Sequence, residues 1–272
     1  MEQVAVGAML AHRRKARRMS QLDLALEAGV SARHLSFVET GRSRPSRDMV
    51  LTICAALGVA PRERNDFLLA AGYAPAYRET PLDSPQMEQA VAALAMMLRR
   101  NEPFPALVFD RGWDLVMANA TYARFLAASL PHEAPPEPLV LLPPPRPNLL
   151  RHLFGADGYR GRIANWQAVA GAVLTRVRRE IARDGDAARR ALLAEIEACP
   201  GVPRPEPGLG PPPDLVIPVE LRDGERSLRL LSTIAVLGTA EDLTLQELRI
   251  ETFHPADAET ERLMREAVAF AG

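Results

Sequence analysis

The stretch from Ser20 to Ser46, SQLDLALEAGVSARHLSFVETGRSRPS, constrains the fold more than any other part of the chain. Ser20 suits the N-cap of one helix and Ser31 the N-cap of the next. Counting from Gln21, Ala25 falls where two steeply crossed helices nearly touch, so only a small side chain fits there. Gly29 falls in the turn between them, where a positive φ costs glycine least. Leu24, Ala28, Val30, Leu35 and Val38 take the buried side. Small, glycine and apolar constraints met together are those of a helix-turn-helix, and a chance helical hairpin rarely meets them all. The second helix of such a unit protrudes far enough to enter the major groove of DNA. Its exposed face here carries Ala32, Arg33, His34, Ser36 and Phe37.

The flanking sequence extends this to five short helices within residues 4–73. Val6, Met9 and Leu10 precede the cluster HRRKARR, which reads as one helix with a basic outer face. RDMVLTICAALGV repeats apolar residues near the helical period and stops at Gly58. PRERNDFLLAAGY opens on Pro61 and ends at Gly72. Charge follows the same division. Residues 1–80 hold 12 Lys/Arg against 8 Asp/Glu, whereas residues 81–272 hold 21 against 26, although the whole chain carries a net −1. A basic front and an acidic back suit two parts with different tasks.

On these residues the front of the chain resembles the Cro/repressor-type, or XRE, helix-turn-helix family. The resemblance covers residues 6–72 and includes Gly7, Leu10, Arg14, SQLDLA, AGVS, LSFVETG, RP and AALGV. It implies that Gln21 binds a backbone phosphate and that Ser31, Ala32, Arg33, His34 and Ser36 face base edges. It also implies that Arg42 and Arg44 lie along phosphates, and that Arg14 and Glu39 form a structural ion pair. The chemistry agrees: arginine can pair bidentately with guanine, and serine can donate or accept at several bases. Taken singly, each arginine, like His34, also has a plain reading as a solvated surface group.

APAYRETPLDSP, residues 74–85, reads as a linker. Residues 86–272 then differ in kind. PALVFDRGWDLVMAN reads as strand, turn and strand, with ATYARFLAAS helical behind it. Two proline-dense runs, 131–147 and 200–213, cannot be regular structure. NWQAVAGAVLTRVRREIARDG and DAARRALLAEIEAC read as helices. LVIPVEL, RSLRLLSTIAVLG and DLTLQELRIETF read as three strands, followed by a helix over 257–270. The fold expected is thus an all-α DNA-binding domain over 1–73, the linker, and an α+β domain with an antiparallel sheet over 86–272.

FPALVFDRGWDLVMANATYARFL resembles the opening of a PAS-like domain, with Asn119 capping the helix entrance. With NLLRHLF, IANWQAVAGAVLTRVRREI and LRLLSTIAVLGTAEDLTLQELRIETFHPAD, the chain resembles the MmyB-like regulators, in which a PAS-like ligand-binding domain follows the XRE unit. The resemblance implies a pocket for an apolar or fatty-acid-like small molecule. Leu107, Phe109, Met117, Tyr122, Leu126, Trp166, Val169, Val173, Leu231 and Ile234 are candidates for its lining, and Asn119, Arg151, His152 and Thr233 for its polar contacts. Each apolar one serves equally as plain core.

No metal-ligand spacing, nucleophile elbow, P-loop or dinucleotide fingerprint occurs, so neither an enzyme nor a cofactor protein is expected. Cys54 and Cys199 stand far apart, and no apolar run spans a bilayer. The expectation is a cytoplasmic, ligand-responsive transcription regulator. It binds a pseudo-palindromic double-stranded operator as a homodimer, because two-fold proteins match two-fold sites. The alternative is a DNA-binding protein whose second domain only dimerises or docks proteins, with a filled core.

Overall fold

A computed structural model describes residues 6–129, 138–155, 158–203, 217–223, 226–238 and 242–269. Contacts divide the chain into one unit running to Glu79 and a second comprising Thr80–Ala240 and Thr244–Gly272.

The first unit is built from α1 (Val6–Ala16), α2 (Gln21–Glu27), α3 (Ala32–Glu39), α4 (Arg47–Ala56) and α5 (Pro61–Ala70). Three of these helices start on serine. The hydroxyls of Ser20, Ser31 and Ser46 accept from the backbone N–H of Asp23, His34 and Met49 at 3.1, 3.1 and 3.2 Å. Asp23 returns a bond to the Ser20 N–H and completes a capping box. Leu10, Leu24, Leu35, Val50, Ile53, Leu57 and Leu68 form a core fully closed to solvent. The unit runs on past the proposed linker start at Ala74. Asn65 Oδ1 accepts from the Ala76 and Tyr77 N–H groups, and Arg62 pairs with Glu79 through two bonds. Irregular backbone is held there by side chains of α5, a long-range contact that local composition does not reveal.

The second unit begins with a 3₁₀ turn at Pro85–Met87 and α6 (Glu88–Arg100). A hairpin follows, β1 (Ala106–Phe109) and β2 (Leu115–Ala118), then α7 (Ala120–Ser129) and α8 (Leu149–Phe154). A second 3₁₀ turn, Tyr159–Arg162, leads into α9 (Trp166–Asp184) and α10 (Ala187–Glu197). The chain closes with β3 (Val219–Asp223), β4 (Arg226–Ala235), α11 (Leu243–Glu247), β5 (Arg249–Pro255) and α12 (Ala258–Ala269). All strands join one antiparallel sheet in the order β2-β1-β5-β4-β3. The early hairpin and the late strands therefore meet where β1 pairs with β5. Of the two proline-dense runs, 138–147 is irregular, and most of the other lies outside the described residues.

Leu243–Glu247 is helical, which corrects the strand expected through LTLQEL. Its period-two pattern imitates a strand, but β5 finds partners only from Arg249 onward, with Arg249 opposite Phe109 and Ile250 opposite Ala235. A segment without a neighbouring strand satisfies its backbone by turning into a helix.

The sheet separates two apolar layers. One face, with Leu107, Phe109, Leu115, Leu221 and Leu230, packs on α7, α8, α9 and α10. The other, with Ala106, Val108, Val116, Met117 and Ile250, packs on Leu94 and Leu98 of α6. Cover on both sides explains why every residue of β1 and β2 is buried.

Candidate recognition helix and ligand cavity

In the first unit, α2 and α3 are joined by a turn in which Gly29 adopts φ +64° and Ala25 is 2% exposed. The Val30 N–H closes the turn on the Ala25 carbonyl at 2.9 Å. Leu35 and Val38 anchor α3 inward, leaving Arg33 outward with its guanidinium 5.5 Å from the Phe37 ring. That contact lays the cation along the helix surface instead of leaving it to sweep freely. α1 braces α3 from behind. A Cβ at Gly7 would stand 2.0 Å from the Val38 carbonyl oxygen, so only glycine permits this approach.

Arg14 and Glu39 lock the brace. Arg14 Nε and Nη2 donate to the two Glu39 oxygens at 2.7 and 2.8 Å, and Arg14 Nη1 donates to the Met19 carbonyl. The Arg14 side chain is 10% exposed and that of Glu39 is 4%. Burial alone would raise the Glu39 pKa, but hydrogen bonds from Arg14 and Gln21 outweigh it and hold the carboxyl below the ordinary glutamate range. The folded state therefore binds this proton less readily than the unfolded chain. The resulting stabilisation is complete above the ordinary glutamate value and is lost as pH falls toward the lowered folded one. Thermal unfolding measured from neutral pH downward should show this acid limb, and Glu39→Gln should flatten it. An unchanged limb in the variant would assign it to other carboxyls.

The predicted DNA contacts fall into three groups. Arg33, His34, Ser36 and Ala32 share α3, with Arg33 exposed and the other three half-buried. Ser31 caps α3, and Gln21 Nε2 donates to Glu39 at 2.7 Å, which leaves its second amide hydrogen to give. Arg42 is exposed, and its guanidinium has no hydrogen bond or ion pair among the described residues. Arg44 is used differently. Its Nε and Nη2 donate to the Ala71 carbonyl at 3.2 and 2.8 Å, and its guanidinium lies 5.3 Å from the Tyr73 ring. It ties the loop to the end of α5, and both Arg42 and Arg44 remain exposed. Cys54 is buried among apolar groups, which pushes its thiol up to about 12 and makes it inert packing.

The second unit holds a partly open cavity of about 290 Å³ between the sheet, α7, α8 and α9. Leu107, Trp113, Tyr122, Phe125, Leu149, Leu153, Tyr159, Ile163, Val169, Val173, Leu221, Ile234 and Phe253 supply most of its wall. An engineered cavity of about 150 Å³ already binds benzene, so this one suits a larger apolar body. Trp113 sits in the β1–β2 turn at φ +65°, a conformation unfavourable for a bulky residue. Asp110 fixes the turn by accepting from the Gly112 and Asp114 N–H groups at 2.8 and 3.1 Å. Trp113 then stacks on Phe109 at 5.0 Å, and the Arg176 guanidinium lies 4.9 Å from its indole.

Of the fourteen candidates, Leu107, Tyr122, Val169, Val173 and Ile234 line the cavity. The other nine, Leu231 and His152 among them, do not. Phe109 faces the same layer but is covered by Trp113, and Leu126 is fully buried in that layer. Met117 packs on the opposite face of the sheet with α6. Asn119 is a closed structural hub. Its Oδ1 accepts from the Ala106 and Tyr122 N–H groups, and its Nδ2 donates to the Phe104 carbonyl. Arg151 is exposed and paired with Glu195, and Trp166 Nε1 donates to the Gly201 carbonyl. Thr233 lies on the far face of β4, bonded to Thr252.

Sequence reasoning missed the charged pair in the wall, Glu251 and Arg176. Glu251 alternates along β5 with residues of the other face, and pairing places it opposite Leu107 and Ile234. Burial pushes its carboxyl above the ordinary range, although the Ser232 hydroxyl and the Arg176 charge pull it down. Arg176 falls within the segment that the sequence reads only as a helix. Its aromatic stack is visible only when β1 and α9 are brought together.

A helix-turn-helix family description matches residues 10–64, and a description of the MmyB-like transcription regulator ligand binding domain matches residues 90–267. No individual curated protein matches the chain. No helix of the described residues is long and apolar enough to cross a membrane. With an XRE-type helix-turn-helix ahead of a ligand-binding domain that spans more than half its length, the chain belongs to the family of MmyB-like, DNA-binding transcription regulators.

Proposed function

We propose that the protein is a cytoplasmic regulator that binds a pseudo-palindromic operator as a homodimer through α3, under control of a small apolar or amphipathic ligand in the cavity of its second unit. Arg33, His34, Ser36 and Ala32 take the base edges. Ser31, which caps the helix, faces the base edges beside them, and Gln21 and Arg42 take phosphates. Arg44 joins them along the phosphates with the donors left over from its bonds to the Ala71 carbonyl. The single observation that carries the ligand reading is the apolar, aromatic-lined cavity of about 290 Å³. A unit serving only as a docking module would have filled it.

A ligand changes operator affinity only through its different affinity for the DNA-competent and DNA-incompetent states. Organic extraction of the purified protein followed by mass spectrometry should release a bound amphiphile. Added ligand at about a hundred times its Kd should stabilise the second unit by about 2.7 kcal/mol in thermal unfolding. Val173→Trp, which projects an indole into the cavity, should abolish that shift while leaving DNA binding measurable. An empty extract, together with no stabilisation by any apolar compound, would favour a ligand-free dimerisation module.

A further inference from the structure

The middle turns of α6 are apolar on both sides of the helix. Residues 90–98 read AVAALAMML, without one polar side chain. Leu94 and Leu98 are buried in the layer under the sheet, with Val91 and Ala95 packed beside them. The opposite side of the same turns presents Ala92, Ala93, Met96 and Met97, all exposed, with Met96 at 49% and Met97 at 41%. A helix with one face on a core ordinarily carries polar residues on the other, and one that is apolar all round is buried. Charge frames this strip. Glu88 stands in its first turn and Arg99 and Arg100 in its last, all three exposed. Their side chains make no hydrogen bond or ion pair among the described residues.

We infer that the outward strip of α6 is a two-fold interface that takes a second copy of this chain, with the two α6 helices antiparallel. This rests on the homodimer reading and names its surface. A two-fold axis level with Leu94 sets position 88 opposite 100, 89 opposite 99 and 92 opposite 96. Met96 of one protomer then lies over the partner's Ala92, and the symmetry repeats the contact. Methionine suits that place, because its unbranched thioether adapts to the space above a small residue. The same register brings Glu88 to the partner's Arg99 and Arg100 at both ends. A parallel pair would set Glu88 against the partner's Glu88, and the arginines against one another. It would also align the two helix dipoles, which the antiparallel pair opposes. The order along the strip is acid, small, large, base. Read against its own reverse, acid meets base and small meets large, and this self-complementarity singles out a second copy over an unrelated partner.

Sedimentation of the full chain over a concentration series tests this. The wild type should be a dimer. Met96→Glu puts an acid on the seam from both protomers and should raise the dimer dissociation constant by about a hundredfold or more, the scale of two methionines no longer buried. Glu88→Arg should weaken the dimer severalfold, since rim charges contribute modestly. Adding Arg99→Glu and Arg100→Glu to that variant should restore it, because the exchange keeps acid opposite base. The altered positions are exposed, and circular dichroism checks that each variant folds; Ala92→Glu decides if Met96→Glu does not. A dimer that Met96→Glu and Ala92→Glu leave intact overturns the assignment of α6 and leaves the homodimer to another surface. Loss at Glu88→Arg without recovery in the charge exchange overturns the antiparallel order. A monomeric wild type overturns the homodimer reading and this inference with it, and a monomer destabilised by Met96→Glu would give the strip to another part of the same chain.

Discussion

Glu39→Ala should destabilise the first unit by about 3–5 kcal/mol, the range found when one partner of a buried pair is removed. Glu39 accepts three hydrogen bonds, two from Arg14 and one from Gln21. Without it, Arg14 stays almost buried with the Met19 carbonyl as its remaining acceptor, and an uncompensated charge in that position costs more than the pair contributed. The loss falls on the contact between α1 and α3, where the Gly7 approach leaves no slack for another side chain to fill. Urea unfolding of a fragment ending at Glu79, followed by far-UV circular dichroism, measures it. Glu39→Gln should fall between wild type and alanine, because it keeps hydrogen bonding and removes charge. A shift below about 1 kcal/mol for alanine would mean that the pair is a surface ornament. Because Glu39 is turned inward, any fraction of the variant that remains folded should prefer the same operator sequence.

The second large effect belongs to Arg33. Replacement by alanine should reduce discrimination between operator and random DNA by about 1–3 kcal/mol per half-site, so roughly twice that for a dimer. Arg33 is exposed on α3 and rests against Phe37, which sets its direction before DNA arrives. Arg42→Ala should behave otherwise. It should weaken specific and random DNA alike and lower the salt dependence by about one counterion per protomer. Binding titrations on both DNAs across a salt series separate the two outcomes. Equal loss on both DNAs for Arg33→Ala would move that residue to the phosphate contacts. Arg44→Ala should act through stability as well, since its donors hold the loop to Ala71.

The ligand cavity was less legible than the recognition helix, and the residues show why. Trp166, Leu126 and Phe109 are apolar and lie in the correct layer, yet neighbours cover them. Sequence pattern separates inside from outside, but it does not separate a wall from a filled core. Asn119 was read both as a cap and as a head-group contact. The cap is what the structure shows, because four backbone groups from three parts of the chain converge on its amide. Thr233 illustrates a finer limit. In a strand of period two, a shift of one residue exchanges the faces, so Ser232 and Ile234 reach the cavity and Thr233 turns away.

The sequence by itself determined the helix-turn-helix, the hairpin around Asp110 and the long helices of the second unit. Each rests on constraints within a few turns of chain: a small residue at a crossing, a glycine at positive φ, serine caps and a repeating apolar face. The tertiary structure alone decided that LTLQE would coil for want of a strand partner. It also turned Arg44 back to a carbonyl 27 residues away. Above all, it gathered Glu251, Ser232, Tyr122, Tyr159 and Arg176 around one cavity from five separate elements of the chain. Their proximity comes from strand register and from packing helices on a sheet, and both are set by contacts between distant residues that no local spacing encodes.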